Sequence, residues 1–399
     1  MAIDFAVPEE ATRVRDKVRQ WVQEECIPAE ARLVDEESFR AVLAELRAKA
    51  RSRGLWLPFV PKAYGGMELG QSQLGPLSMN TQGPDDATIL TLLAHGTEYQ
   101  KEKFLKPLLN GEKRVCYSMT EKAAGADATG MRTSAVKDGK GNYVLNGEKW
   151  FTSAASAADI AVIMARTDPD APRHRQFSTF IVELPNPGYV IKRDVDTMAV
   201  HSPLAHVMGT SHSEIEIKDL VVPADNLLGG EGNGFEMGQH RLAYGRLRHG
   251  MRNIAMAQRA LDLAAAHICK RETFGKPLHE RQAVQFMMAE CASQLYMARL
   301  MLLHIAYKAE KGLDLRQENS IAKVYFAHMV HHVVDTAIQL HGALGFSHDT
   351  PLAAWYADIR SQRLVDGPDE VHRWMVGRNA IKAFKATGTT AGACGGDLF

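Results

Sequence analysis

The chain has 399 residues, 45% hydrophobic and 24% charged, which is enough for two or three domains with buried cores. Lysine plus arginine (47) balances aspartate plus glutamate (47), which disfavours functions that depend on non-specific attraction to nucleic acid. The acidic N-terminal segment lacks the apolar core of a secretory signal, and no apolar run has the length of a membrane span. Five scattered cysteines without a CxxC pair indicate reduced thiols and a cytoplasmic protein.

The elements, taken in chain order, divide the sequence into three segments and a tail. Residues 1–114 have helical spacing of apolar residues and predict an N-terminal helical domain. Residues 115–226 change to short alternating or apolar runs between turn residues, which predict the strands of a β-barrel or sandwich. Residues 227–385 return to helical spacing, and the small residues of 386–399 predict a flexible tail. The predicted fold class is α+β, mainly α.

Two ligand-like patterns have simpler structural interpretations. The glycine-rich stretch 229–234 does not follow the dinucleotide-binding spacing and lies outside any βαβ unit, so an interdomain loop is favoured. His328, His331 and His332 are close on one helix, but no H-E-x-x-H arrangement is present. They are interpreted as a packed or interfacial cluster rather than a metal site.

The segment from Val365 to Arg373 has both a structural and a functional interpretation. In the structural one, Asp366 or Gly367 lies near the N-cap of a helix, Pro368 takes an early helical position, and acids face the helix dipole. In the functional one, Asp366 is a carboxylate held on a tight turn as a general base. Both can hold together, because a helix start is a rigid mount.

Hydroxyl and aromatic residues recur together in the β segment. Cys116–Asp127 and Gly147–Ser153 combine them with strand-forming residues. This chemistry suits the faces and the polar edge of a flat heteroaromatic ligand, and equally the core of a β domain.

Four motifs, in this order, resemble the acyl-CoA dehydrogenase family over nearly the whole chain. Tyr117–Asp127 is similar to the family's flavin loop, and Gly147–Ser153 to the strand that follows it. Arg271–Leu278 with Gln282 is similar to its R-x-x-F-G motif, and Gln339–Gly345 to its Q-x-x-G-x-x-G helix end. The resemblance implies an N-terminal helical domain, a central β domain and a C-terminal four-helix bundle.

The same resemblance implies non-covalently bound FAD, with part of each site completed by a neighbouring subunit of a homotetramer. The residues implied to bind the cofactor are Tyr117, Met119, Thr120, Gly125, Ala126, Phe151, Thr152, Ser153, Arg271, Thr273, Phe274, Gln282, Gln339, His341, Gly342, Gly345, Pro368 and Glu370. Those implied to contact the substrate are Ala126, Arg246 and Arg248.

The implied reaction is a step of fatty acid β-oxidation. Asp366 removes the α-proton of an acyl-CoA while flavin N5 takes the β-hydride, which gives the trans-2-enoyl-CoA. An electron acceptor such as an electron-transfer flavoprotein then reoxidises the flavin. Glu370, one helical turn after Asp366, is the competing carboxylate.

Several residues depart from the family pattern. Asp366 replaces the usual glutamate and is one methylene shorter, Pro368 replaces a threonine, and Ala126 replaces a serine. The Asp-Gly-Pro-Asp-Glu-Val-His form, together with Gly245–Arg252, resembles most closely a branch acting on 4-hydroxyacyl-CoA whose eukaryotic members carry a kinase-like domain. The positive charges of Gly245–Arg252 either form salt bridges between helices or bind CoA phosphates or a polar 4-substituent.

Three alternatives stay open. A nitroalkane oxidase of the same fold also uses an aspartate base. A flavin-containing DNA-binding protein of the same fold would need a basic surface. A non-catalytic helical scaffold would carry no flavin.

Overall fold

The computed structural model describes residues 9–67, 86–199 and 211–395. Helices, then strands, then helices follow one another along the described chain, which confirms the predicted fold class. The chain forms two compact units. The first contains residues 9–16 and 245–395 of the described chain, and the second contains 17–67, 86–199 and 211–244.

The N-terminal segment is built of short helices with buried apolar positions. Val14, Val18 and Trp21 are buried, as their helical spacing predicts. A capping box begins the second long helix, because Asp35 accepts a hydrogen bond from the Ser38 N–H and the Ser38 hydroxyl accepts one from the Asp35 N–H. The α-helices are α1 (Glu9–Trp21), continued by Ile27–Ala29 after a π-helical turn, α2 (Glu36–Ser52), α3 (Asp86–His95), α4 (Glu98–Gln100) and α5 (Lys106–Leu109).

The β segment forms one sheet with mixed pairing. Its strands are β1 (Val115–Ser118), β2 (Ser134–Lys137), β3 (Asn142–Ser153), β4 (Ile160–Arg166), β5 (Phe177–Glu183), β6 (Tyr189–Asp194), β7 (His212–Pro223) and β8 (Leu227–Leu228). The order is β6-β7-β3-β2-β4-β5-β8, and β1 pairs with β4 in parallel. The β3–β7 pair is antiparallel, with Val144 opposite Val221.

Burial along the strands follows their sequence patterns. In β7, Ser213, Ile215 and Ile217 are buried while the residues between them are more exposed, as predicted from alternation. The apolar runs of β4 and β5 are buried at nearly every position, on both faces. These strands supply much of the core around Leu145, Ile163 and Phe180.

The C-terminal segment contains four long helices and shorter ones. On the second of the four, Cys291, Leu295, Ala298 and Leu302 are buried at the predicted three- and four-residue steps. The helices are α6 (Gly234–Lys270), α7 (Gln282–Glu310), α8 (Arg316–His341), α9 (Ala343–Phe346), α10 (Leu352–Ile359) and α11 (Asp369–Thr387). A hairpin of β9 (Glu272–Thr273) and β10 (Lys276–Pro277) joins α6 to α7.

The described part of the tail packs against the helices. Ala393 is buried, and its carbonyl accepts a hydrogen bond from Gln317 Nε2 at 2.9 Å. Residues 396–399 lie outside the described residues, so flexibility of the tail stays a prediction. Among the described helices, none is both long enough and apolar enough to cross a membrane.

Candidate active site

The loop after β1 holds the first group of predicted cofactor residues, all in the second unit. The Arg241 guanidinium lies over the Tyr117 ring, 4.1 Å from its centroid. Met119 packs against Met131, Met164 and Phe177. This cluster fixes the start of the loop and leaves its later residues, Gly125 and Ala126, exposed.

A buried ion pair anchors this loop to β3. Lys149 Nζ lies 2.9 Å from Glu121 Oε1 and donates to the Met119 carbonyl, and both side chains of the pair are almost fully buried. Burial alone would raise the pKa of Glu121, but Lys149 and hydrogen bonds from Thr133 and Arg132 outweigh it and lower that pKa. The ionised pair therefore holds the loop in one conformation.

The end of β3 bulges outward. The pairing register with β7 shifts between Lys149 and Thr152, and Phe151 has φ of +55°. The Phe151 ring is 42% exposed. The Trp150 N–H donates to the Thr120 carbonyl at 2.7 Å, so the bulge and the loop after β1 are neighbours.

Hydroxyl groups flank the bulge. Ser153 Oγ lies 2.9 Å from His212 Nδ1, and buried Thr152 donates to Ser118 Oγ at 3.3 Å. The end of β3 thus presents an aromatic ring, a serine hydroxyl and the backbone of the neighbouring loop. These groups suit a flat ligand with a polar rim.

Asp366, in the first unit, lies on a tight turn just before α11. Asp366 has φ of +54° and Gly367 has φ of +97°. The Asp366 carbonyl accepts two hydrogen bonds, from Arg246 Nε at 2.9 Å and from His372 Nε2 at 3.1 Å. His372 is oriented in turn by Ser320, whose Oγ lies 2.9 Å from Nδ1. Two side chains therefore hold a backbone conformation that costs free energy.

Asp366 lines a small pocket, part of which is open to solvent. A Cβ at Gly245 would lie 2.9 Å from Asp366 Oδ2, so the glycine gives the carboxylate room. Burial lowers the pKa of Arg246, and Asp366 acts in the opposite direction. The pocket is lined by Arg246, His249, Gly250, Asn253, Lys323, Phe326, Gln362, Val365 and Asp366.

The observed helix start lies close to the predicted one. The N-cap of α11 is Pro368, which directly follows Gly367 and whose ring offers no oxygen to cap. The first-turn acid that packs inward is Asp369, which is 1% exposed. Its carboxylate lies 2.9 Å from Arg363 Nε, 2.9 Å from His328 Nε2 and 3.3 Å from Lys323 Nζ. Glu370 is exposed.

The hairpin between α6 and α7 carries the predicted Arg271, Thr273 and Phe274. Phe274 and Gly275 have φ of +49° and +72°, as a two-residue hairpin turn requires. Phe274 is 97% exposed, and Arg271 and Gln282 are also exposed. These residues form an exposed edge that offers a cation and an amide.

The C-terminal end of α8 carries the predicted Gln339–Gly345 group. Gly342, with φ of +63°, ends the helix. The His341 ring stacks on His267 at 4.4 Å and its Nδ1 lies 2.7 Å from the Ala337 carbonyl. Gln339 and Gly342 are exposed, whereas Gly345 is buried.

Within each unit, the structure brings together some predicted residues and separates others. Thr120 and the Phe151 bulge meet in the second unit. Asp366 and Arg246 meet in the first, whereas Arg248 is not among the residues that line their pocket.

No sequence pattern indicated Lys323 or the role of His372. A lysine among the buried small and apolar residues of α8 is the signal that would have identified Lys323.

The histidines of α8 contact protein groups. His328 pairs with Asp369, and His331 Nδ1 lies 3.1 Å from the Ala327 carbonyl. In residues 9–67, 86–199 and 211–395, no group of three or more His, Cys, Asp or Glu side chains is placed to hold a metal ion.

Comparison with known proteins gives matches along the chain. Residues 8–112, 116–220 and 232–381 match the family profiles described as the N-terminal, middle and C-terminal domains of acyl-CoA dehydrogenase. A solved structure of a Mycobacterium abscessus protein, titled as an acyl-CoA dehydrogenase, superposes with a TM-score of 0.87 at 32% identity. The superposition covers 95% of this chain and 100% of the Mycobacterium abscessus chain.

Two curated relatives differ in length. Acyl-CoA dehydrogenase family member 11 of Gallus gallus is 36% identical over 91% of this chain and 49% of its own length. The protein FadE2 of Mycobacterium tuberculosis, named as an acyl-CoA dehydrogenase, is 35% identical over 96% of this chain and 98% of its own. The chain therefore spans about half the length of some of these relatives and nearly all of others.

Proposed function

The chain belongs to the acyl-CoA dehydrogenase family of FAD-dependent oxidoreductases, and we propose that it oxidises the α,β bond of an acyl-CoA with Asp366 as the general base. The observation that carries the proposal is the Asp366 turn. A carboxylate faces a pocket from a backbone conformation that Arg246 and His372 hold in place. Such strain is typical of groups positioned for chemistry.

The proposed reaction removes a proton and a hydride equivalent from the substrate. Asp366 accepts the α-proton of the thioester, and a hydride equivalent leaves the β-carbon. The electron pair of the α C–H bond forms the new double bond, which gives the trans-2-enoyl-CoA. Arg246 holds the base in place by donating a hydrogen bond to the Asp366 backbone carbonyl.

The residues present fit the FAD that the family uses. The Phe151 ring, the Ser153 hydroxyl and the backbone around Thr120, Gly125 and Ala126 suit the ring system, and Arg271 with Gln282 suits a diphosphate and its adenosine. Bound FAD supplies the acceptor for the hydride. Tyr117, Met119, Thr152, Thr273, Pro368 and Glu370 complete the proposed set in this chain.

The assembly and the electron acceptor are also proposals. Gln339, His341, Gly342 and Gly345 would complete the FAD site of a neighbouring subunit in a homotetramer. The almost fully exposed Phe274 and the exposed Phe346, in and beside these motifs, support this, because aromatic side chains are enriched at protein interfaces. An electron-transfer flavoprotein is the proposed acceptor.

For the substrate, we propose a 4-substituted acyl-CoA such as a 4-hydroxyacyl-CoA, with Arg246, Arg248 and Ala126 near it. The resemblance of the Asp366 segment and of Gly245–Arg252 to that branch of the family supports this choice. A selective role for Arg248 predicts that Arg248→Ala lowers the rate more on 4-substituted than on plain acyl-CoAs. Equal factors on both would contradict that role.

Anaerobic bleaching of the flavin tests the reaction class. The purified protein should carry oxidised FAD at close to one per chain, and its absorbance should bleach with acyl-CoAs, 4-hydroxyacyl ones included. Bleaching by a nitroalkane without CoA would instead identify a nitroalkane oxidase, and strongly salt-dependent DNA affinity would favour the DNA-binding alternative. A colourless protein that takes up no FAD would overturn the assignment.

A further inference from the structure

His249 on α6 lies between two charged residues of the first unit. Its Nε2 is 3.4 Å from Asp366 Oδ2, and its Nδ1 is 3.1 Å from Arg252 Nη2. The imidazole lines the same pocket as the Asp366 carboxylate. It therefore reaches the side chain of Asp366, whereas Arg246 and His372 reach its backbone carbonyl.

The contact with Arg252 determines which ring nitrogen carries the proton. A guanidinium can only donate hydrogen bonds, so His249 Nδ1 must accept. In the neutral ring the hydrogen is then on Nε2, the atom that faces Asp366. The ring hydrogen is therefore on the nitrogen that lies 3.4 Å from one Asp366 carboxylate oxygen.

The surroundings favour the neutral form of the ring. The charged groups that face His249 are Asp366 from the turn, Arg252 from its own helix, Asp358 from α10 and Lys323 from α8. Burial is the largest influence and lowers the pKa of His249, with Arg252 and Lys323 in the same direction and the two aspartates opposed. A neutral donor stabilises the Asp366 carboxylate without competing with it for the substrate proton.

We propose that His249 is a positioning residue that orients the Asp366 carboxylate through Nε2–H, with Arg252 fixing its tautomer. The proposal rests on Asp366 being the base. Asp366 is one methylene shorter than the glutamate usual in the family, so a lateral donor to Oδ2 directs the other oxygen toward the substrate. At 3.4 Å the contact is long, as catalytic hydrogen bonds often are before substrate binds.

Two substitutions separate the donor from the volume of the ring. The amide nitrogen of His249→Gln falls near the position of Nε2 and can still donate, whereas His249→Leu fills similar space without a donor. We expect His249→Leu to lower the rate of flavin reduction at saturating acyl-CoA by roughly ten- to a hundredfold, the scale of a hydrogen bond to a charged group. His249→Gln should recover a large part of that loss, with ligand affinity little changed in both.

Stopped-flow flavin reduction of the FAD-loaded variants tests this, with Asp366→Asn measured in parallel and His332→Leu, on α8, as the control for loss of a bundle histidine. His249→Leu at the wild-type rate, or Leu and Gln slowed equally, would overturn the positioning role. If Asp366→Asn itself reduces its flavin normally, the base assignment fails instead. The double variant completes the test. If His249→Leu slows flavin reduction by the same factor in Asp366→Asn as in the wild-type protein, His249 does not act through Asp366.

Discussion

The backbone at Asp366 and Gly367 has positive φ at two successive residues, and this geometry decides where the carboxylate points. Glycine tolerates such a φ, whereas a side chain there is strained. A Cβ at Gly367 would also lie 2.8 Å from His372 Nε2, the atom that holds the Asp366 carbonyl. Position 367 is therefore restricted to glycine by conformation and by space.

Gly367→Ala is expected to lower the free energy of unfolding by about 1–3 kcal/mol, the usual cost of one strained residue. It should also slow flavin reduction, because His372 must move and the base turns away. Gly377→Ala on α11 is the matched control, since an added Cβ there meets no atom within 4 Å. Thermal unfolding and stopped-flow rates check both. A Gly367→Ala protein as stable and as fast as the control would show that the turn is not constrained.

Lys149 and Glu121 form a second constrained site, a buried ion pair in the second unit. Lys149→Met leaves the buried Glu121 carboxylate without its partner, so the free energy of unfolding should fall by about 3–5 kcal/mol at neutral pH. Lys192→Met, whose pair with Glu216 is half exposed, should change little. Urea denaturation measures both, and equal losses would contradict a special role for the buried pair.

The same pair predicts a dependence on pH. Because the pKa of folded Glu121 is lowered, its contribution to stability is present above the ordinary carboxyl pKa and is lost as the pH falls through the lowered value. The gap in unfolding free energy between wild type and Lys149→Met should therefore narrow in acid. A gap that stays constant with pH would contradict an ionised pair.

At the scale of elements, local sequence patterns predicted which strand residues are buried. The alternation in β7 and the apolar runs of β4 and β5 match the burial of those strands. The parallel pairing of β1 with β4 joins residues far apart in the chain, so no local pattern indicates it. The helix α11 begins close to its predicted start, with Pro368 at the N-cap. The inward turn of Asp369 toward Lys323 depends on a residue of another helix, so no local pattern indicates it.

The hairpin between α6 and α7 gives a prediction for cofactor binding. Arg271 lies on its exposed edge, and Arg271→Ala should weaken FAD binding by about tenfold or more, since a charge-assisted hydrogen bond to a phosphate is lost. Lys270→Ala, the neighbouring exposed cation at the end of α6, is the control for charge alone. Fluorescence titration of the apoprotein with FAD measures both, and matching affinities would exclude Arg271 from the cofactor site.

For the whole molecule, we expect a homotetramer, or at least a dimer, at low micromolar concentration. Phe346, 81% exposed and next to the Gln339–Gly345 motif, should lie in the interface. Phe346→Asp should therefore give smaller species with less FAD, whereas Val34→Asp, also at an exposed apolar residue, should not. Sedimentation velocity with flavin absorbance checks this, and a stable, flavin-saturated wild-type monomer would contradict it.

The central claim is that Asp366, rather than Glu370, removes the α-proton. Asp366→Asn should keep the fold and the FAD, because asparagine tolerates positive φ and the Asp366 carbonyl keeps both of its donors. Stopped-flow reduction of its flavin by an acyl-CoA should be about a hundred- to ten-thousandfold slower than in wild type, the usual share of general-base catalysis. Glu370→Gln should slow it far less. If Asp366→Asn reduces its flavin at the wild-type rate while Glu370→Gln reduces it slowly, Asp366 is not the base and Glu370 takes that role.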